Sequence, residues 1–77
     1  MKDTDRILLD ADSLTGETDR IDFLLEESFK IKNMNRQFFK NTIEDCLKKS
    51  YQLEYKQGIG IGLCYMGLCY YQETGES

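Results

Sequence analysis

The sequence predicts an all-α fold in which four helices pack as antiparallel pairs. Apolar side chains recur at helical spacing in four successive stretches, and three polar breaks separate these stretches. The chain of 77 residues contains no proline and no Ser/Gly-rich linker, so no internal domain boundary is visible. A domain of this size buries only a marginal core unless a disulfide, a metal ion or a partner supports it.

The first predicted helix spans residues 4–14. Its apolar stripe consists of Ile7, Ala11 and Leu14, which fall at i, i+4 and i+7. Gly16 follows shortly after, and we expect it to end this helix in the left-handed conformation that glycine adopts without strain.

The second predicted helix runs over residues 18–31 and the third over residues 36–53. Their apolar positions are Ile21, Leu24, Leu25 and Phe29 in the second helix, and Phe39, Ile43, Cys46 and Leu47 in the third. Asn35 stands immediately before the third helix, and an asparagine at that position is a good N-terminal cap.

The fourth predicted helix covers residues 58–71, where alternating glycine and isoleucine could also form a strand. We predict a helix because Ile59, Leu63, Met66 and Tyr70 keep helical spacing over three turns. Gly75 is expected to close this helix. The apolar run of about 13 residues is too short to cross a bilayer, which needs about 20.

Glycine is unusually frequent in this fourth helix, at positions 58, 60, 62 and 67. Each interior glycine costs about 1 kcal/mol of helix propensity relative to alanine. The close approach of another helix would offset this cost, so we expect the glycines to be contact points. Eight side chains are expected to form most of the core: Leu25, Phe29, Phe39, Ile43, Leu47, Leu63, Met66 and Tyr70.

The composition disfavours a metal site, a catalytic site and the binding of nucleic acid. The chain has no histidine and no CxxC pair, so a zinc site lacks ligands, and Cys46, Cys64 and Cys69 are expected to be reduced, buried side chains. The net charge of −4 disfavours phosphate binding, although the basic stretch 30–36 leaves an anionic partner as an alternative. Adjacent carboxylates such as Glu26 and Glu27 diverge around a helix and cannot act on one substrate atom.

We therefore predict a protein that is not an enzyme, with no catalytic residue, no cofactor and no metal site. Residues 1–6 are polar and partly acidic, unlike a secretory signal. A cytoplasmic location without membrane insertion is the prediction.

Three short motifs follow one another in the second half of the chain. Cys46-Leu47 is a small-Leu pair, residues 58–63 read Gly-Ile-Gly-Ile-Gly-Leu, and residues 66–70 read Met-Gly-Leu-Cys-Tyr. Together they resemble the junction between two tetratricopeptide repeats of the long-helix bacterial kind. In that family the pair ends the second helix of a repeat, and the two later motifs open the first helix of the next. Phe39 departs from the family pattern, which usually has a small residue at this position.

The resemblance implies an architecture of about one and a half repeats. Residues 1–17 would be an N-terminal cap helix, residues 18–57 the first repeat, and residues 58–77 the first helix of a second, truncated repeat. Repeats with this signature commonly precede diguanylate cyclase, histidine kinase or transcription-regulator domains in bacterial signalling proteins. The implied function is a non-catalytic protein-interaction scaffold from the N-terminal sensory or regulatory part of such a protein. The alternative is a free-standing small helical adaptor or regulator that acts as a dimer.

A homodimer is predicted from the fourth helix, which is apolar on more than one face. A helix apolar nearly all round is normally buried on all sides, and the third helix can cover only one of them. The residues expected to meet the second copy are Gly58, Ile61, Gly62, Tyr65, Leu68 and Cys69. The competing arrangement is a monomer whose first helix folds over that face.

Overall fold

The computed structural model describes residues 3–74 of the chain, with side chains described for residues 4–71, and this part is helical without strands. The four helices are α1 (Asp3–Asp12), α2 (Glu17–Lys30), α3 (Arg36–Leu53) and α4 (Lys56–Thr74). The predicted all-α, four-helix fold is confirmed, and residues 58–63 are helical rather than extended. Gly75, expected to close the fourth helix, lies outside the described residues.

α3 packs against both α2 and α4. Phe29 near the end of α2 meets Phe39 near the start of α3, so these two helices run antiparallel. Gly58 at the start of α4 lies against Ser50 near the end of α3, so α3 and α4 are antiparallel as well. α4 also contacts α2, whereas α1 packs against α2 and buries Ile7 and Ala11.

The helix ends have local explanations. Asn35 Oδ1 accepts a hydrogen bond from the Phe38 backbone N–H at 3.0 Å, which confirms the predicted cap of α3. The expectation for Gly16 is wrong, because its backbone is extended (φ −88°, ψ 139°) and it precedes α2 instead of ending α1. α1 ends earlier, at a turn in which Ser13 Oγ donates to the Asp10 carbonyl oxygen at 2.6 Å.

The predicted core is correct for α2 and α3 and partly wrong for α4. Leu25, Phe39 and Ile43 are buried, whereas Leu63 and Tyr70 are 52% and 60% exposed. The remaining three of the eight expected core residues, Phe29, Leu47 and Met66, are partly buried against this core. Two errors therefore remain in the expected core, and both lie on one face of α4.

α4 is turned about its axis relative to the expected orientation. Among residues 56–71 of this helix, Gly58, Gly62 and Cys69 are buried, and all three belong to the face that we expected to meet a second copy. Cys64 is exposed, so the expectation that all three cysteines are buried is wrong for this one.

Candidate protein-interaction surface

The inner face of α4 approaches α3 closely at two glycines. A Cβ atom added at Gly62 would lie 2.7 Å from Leu47 Cδ2, and one added at Gly58 would collide with Ser50 Oγ and lie 2.8 Å from Tyr55 Cδ2. The expectation that glycines are contact points is confirmed at these two positions. Within the described part of the chain, no other helix approaches Gly60 or Gly67, where an added Cβ would meet no atom within 4 Å.

The six predicted interface residues mostly face the chain's own core. Gly58, Gly62 and Cys69 are buried, while Ile61 and Tyr65 are partly buried and pack against the core. Only Leu68, 38% exposed, remains on the surface. The exposed apolar surface of α4 that a partner could contact therefore lies mainly on the opposite side of this helix.

We call this opposite side the outer α4 face. It consists of exposed residues only: Gly60, Leu63, Cys64, Gly67, Leu68, Tyr70 and Tyr71. Gly60, Cys64, Gly67 and Tyr71 fall at i, i+4, i+7 and i+11, which places them along one line of the helix. Leu63 and Tyr70 flank this line, and Tyr71 is 70% exposed. Sequence reasoning missed most of this face because it assigned Leu63 and Tyr70 to the core.

An aromatic cluster holds the inner side of α4 in place. Tyr65 stacks on Phe29 of α2 with 4.7 Å between ring centroids and contacts Phe39 of α3 at 5.8 Å. Phe29 and Phe39 meet edge to face at 6.2 Å. Aromatic pairs of this kind stabilise a fold beyond the contribution of their buried area. The cluster joins α2, α3 and α4 at one point.

A polar contact joins the turn before α4 to α2. The Tyr55 hydroxyl donates to the Asp22 carboxylate, with distances of 2.8 Å and 2.9 Å to its two oxygens. The hydrogen bond to Asp22 is the main reason why the pKa of Tyr55 is raised. This contact fixes the distance between α2 and the start of α4.

Burial raises the pKa of the Cys46 thiol to about 12, which keeps this sulfur protonated and unreactive at neutral pH. No group of three or more metal-ligating side chains occurs within the described part of the chain. Among the helices described, none is long and apolar enough to cross a membrane.

No protein-family model matches this chain, and no curated protein or solved structure matches it significantly. The resemblance to tetratricopeptide repeats therefore rests on the motifs between residues 46 and 70.

Proposed function

We propose that this chain is a non-catalytic protein-interaction module built from helix pairs. The observation that carries the proposal is the outer α4 face, where Leu63, Leu68, Tyr70 and Tyr71 are exposed together on one helix. A small domain that leaves apolar side chains grouped on one helix has a surface suited to docking another protein.

The helix-propensity cost of the two glycines on the outer α4 face supports this function. Gly60 and Gly67 each cost about 1 kcal/mol of helix propensity relative to alanine. Gly58 and Gly62 are compensated by their contacts with α3, whereas nothing within the described chain approaches Gly60 or Gly67. A helix that packed on the outer α4 face could approach its backbone closely at both positions.

A second copy of the chain is the partner that we propose for this face. Residues 58–71 contain no charged side chain, so two copies of α4 can meet without repulsion between like charges. An isologous two-fold contact requires this kind of self-complementary surface. α1 does not provide an internal cover, because it packs against α2 and leaves Leu63 half exposed.

Sedimentation equilibrium of the untagged chain tests self-association. We expect the mass to rise with concentration from 9.0 kDa towards twice that value. Leu63→Glu places a charge on the outer α4 face and should hold the mass at that of the monomer. Leu9→Glu is the matched control, because Leu9 is exposed to a similar extent on α1, 57% against 52% for Leu63. A monomer mass at every concentration, up to hundreds of micromolar, would refute the dimer.

For the biological setting, we extend the proposal to the N-terminal sensory or docking part of a cytoplasmic bacterial signalling protein. The repeat-like motifs at residues 46–47, 58–63 and 66–70 support this, since such arrays precede diguanylate cyclase or histidine kinase domains in the family they resemble. The reading frame provides the test. An output domain encoded after residue 77 supports this setting, and a stop codon there supports the alternative, a free-standing dimeric adaptor.

A further inference from the structure

A groove runs between α2 and α4, beside the outer α4 face. Its volume is about 390 Å³, and it is lined by Asp22, Leu25, Glu26, Gln57, Ile61 and Tyr65. The contacts of Ile21 with Gly58 and of Phe29 with Tyr65 show that the two helices run in the same direction. The two helices therefore lie side by side over about two turns.

The two walls of this groove differ in chemistry. α2 contributes Asp22 and Glu26, which are spaced i, i+4, and α4 contributes Gln57, Ile61 and Tyr65, which are spaced i, i+4, i+8. The groove thus has carboxylates along one side and an amide, an aliphatic and an aromatic side chain along the other. A ligand that fits it must carry both positive charge and apolar surface.

The charge of the groove is not balanced by its own lining. Its six lining residues include two carboxylates and no base. Lys30 lies one turn beyond Glu26 and outside the lining; its ammonium group pairs with Glu27 at 3.0 Å and interacts more weakly with the charge of Glu26.

Two other concavities provide the contrast. The one between α2 and α3 combines Glu17 and Asp45 with Arg20 and Lys49, and Lys49 approaches Glu17 at 3.7 Å. The one between α1 and α2 combines Asp10 and Glu27 with Arg6 and Lys30. Both contain as many bases as acids among these side chains. The groove between α2 and α4 differs from them in having acidic groups alone.

We propose that this groove binds a basic segment of a partner protein, with arginine or lysine side chains against Asp22 and Glu26 and aliphatic side chains against Ile61 and Tyr65. The proposal rests on the proposed function as a protein-interaction module and names the chemistry of one partner. Tyr65 is held by its stack on Phe29, and Asp22 by the Tyr55 hydroxyl, so both walls are ordered before the segment binds. Arginine suits such a site because its guanidinium pairs with carboxylates and lies flat on aromatic rings.

Fluorescence anisotropy with the full chain tests this proposal. The probe is a labelled, end-capped peptide of about ten residues in which arginine and leucine recur every third or fourth position on an alanine background. We expect saturable binding in the micromolar range, and no binding of the same peptide with glutamate in place of arginine. The double variant Asp22→Asn, Glu26→Gln should weaken binding about tenfold or more. Glu26→Gln alone, at an exposed position, should weaken it measurably without affecting the fold.

The matched control is the double variant Glu44→Gln, Asp45→Asn, which removes the same two charges from the exposed side of α3. It should bind the arginine peptide as the unchanged chain does. Equal loss in both double variants, equal binding of the glutamate peptide, displacement of the arginine peptide by an equal concentration of spermidine, or no binding at all would each overturn the proposal. Self-association of the chain is measured separately, so a failure here is distinguishable from a failure of the proposed function.

Discussion

Two fully buried serines, one on α2 and one on α3, differ in their hydrogen bonding. Ser28 Oγ donates to the Leu25 carbonyl oxygen at 3.2 Å, whereas Ser50 Oγ has no hydrogen-bond partner among the described residues. A buried hydroxyl without a partner costs about 1–3 kcal/mol. We expect Ser50→Ala to raise the free energy of unfolding by about 1 kcal/mol and Ser28→Ala to lower it by a similar amount. Urea titrations measure both, and a loss of stability in both variants would contradict the assignment of Ser50.

The Cys46 thiol makes stability depend on pH in the alkaline range. Its pKa is raised from 9.0 to about 12 by burial, so the unfolded chain loses this proton at a lower pH than the folded chain. The stabilising contribution is complete below pH 9 and is lost as the pH rises towards 12, with a slope of up to about 1.4 kcal/mol per pH unit. Unfolding curves between about pH 8 and pH 10.5 should show this decline. Cys46→Ala should flatten it, and Cys64→Ala, at an exposed cysteine, should leave it unchanged.

At the scale of the helices, the positions of the glycines in α4 decide which face of this helix packs against α3. Gly62→Leu should lower the free energy of unfolding by about 1–3 kcal/mol, because its side chain would overlap Leu47. Gly67→Leu should raise the stability of the monomer by up to about 1 kcal/mol, because the site is open and leucine favours helix. Thermal unfolding at low micromolar concentration compares the two variants. Equal destabilisation by both would show that the outer α4 face is covered within the chain.

The helix elements themselves were predictable from the sequence, and their ends less so. The stripes of α2 and α3 follow a clear amphipathic pattern, and Asn35 has the ordinary chemistry of a cap. α3 ends at Leu53 as predicted, but the conformation that ends it was not visible in the sequence, because Glu54 adopts the left-handed conformation (φ 55°) that glycine usually supplies. The Tyr55 backbone N–H donates to the Ser50 carbonyl oxygen at 2.8 Å and helps to fix this turn.

At the scale of the whole molecule, one side chain joins elements that are distant in sequence. Tyr55 follows α3 and Asp22 belongs to α2, yet the two side chains are hydrogen-bonded. Tyr55→Phe should lower the urea midpoint, because it leaves the carboxylate without its donor. Tyr51→Phe is the control, since Tyr51 is 57% exposed on α3. Hydrogen exchange should show faster opening in the α3–α4 turn of the Tyr55 variant, and identical behaviour of both variants would exclude a linking role.

The groove between α2 and α4 could not be derived from local patterns. Asp22 and Glu26 read as solvated carboxylates on one helix, and Gln57, Ile61 and Tyr65 lie about 40 residues away on another. Only the packing of both helices on α3 brings the two sets together, because that packing sets α2 and α4 side by side.

The sequence by itself determined the helical class, the number of helices and the buried faces of α2 and α3, because amphipathic spacing allows only one face to be buried. It could not determine which face of α4 points inward, since residues 58–71 have apolar side chains on every side and no charge. The tertiary structure decided this, because the face that points inward is the one that lets the backbone of α4 approach α3 closely. Gly58 and Gly62 allow α4 to lie against Ser50 and Leu47, and a face with larger side chains would have held the two helices apart.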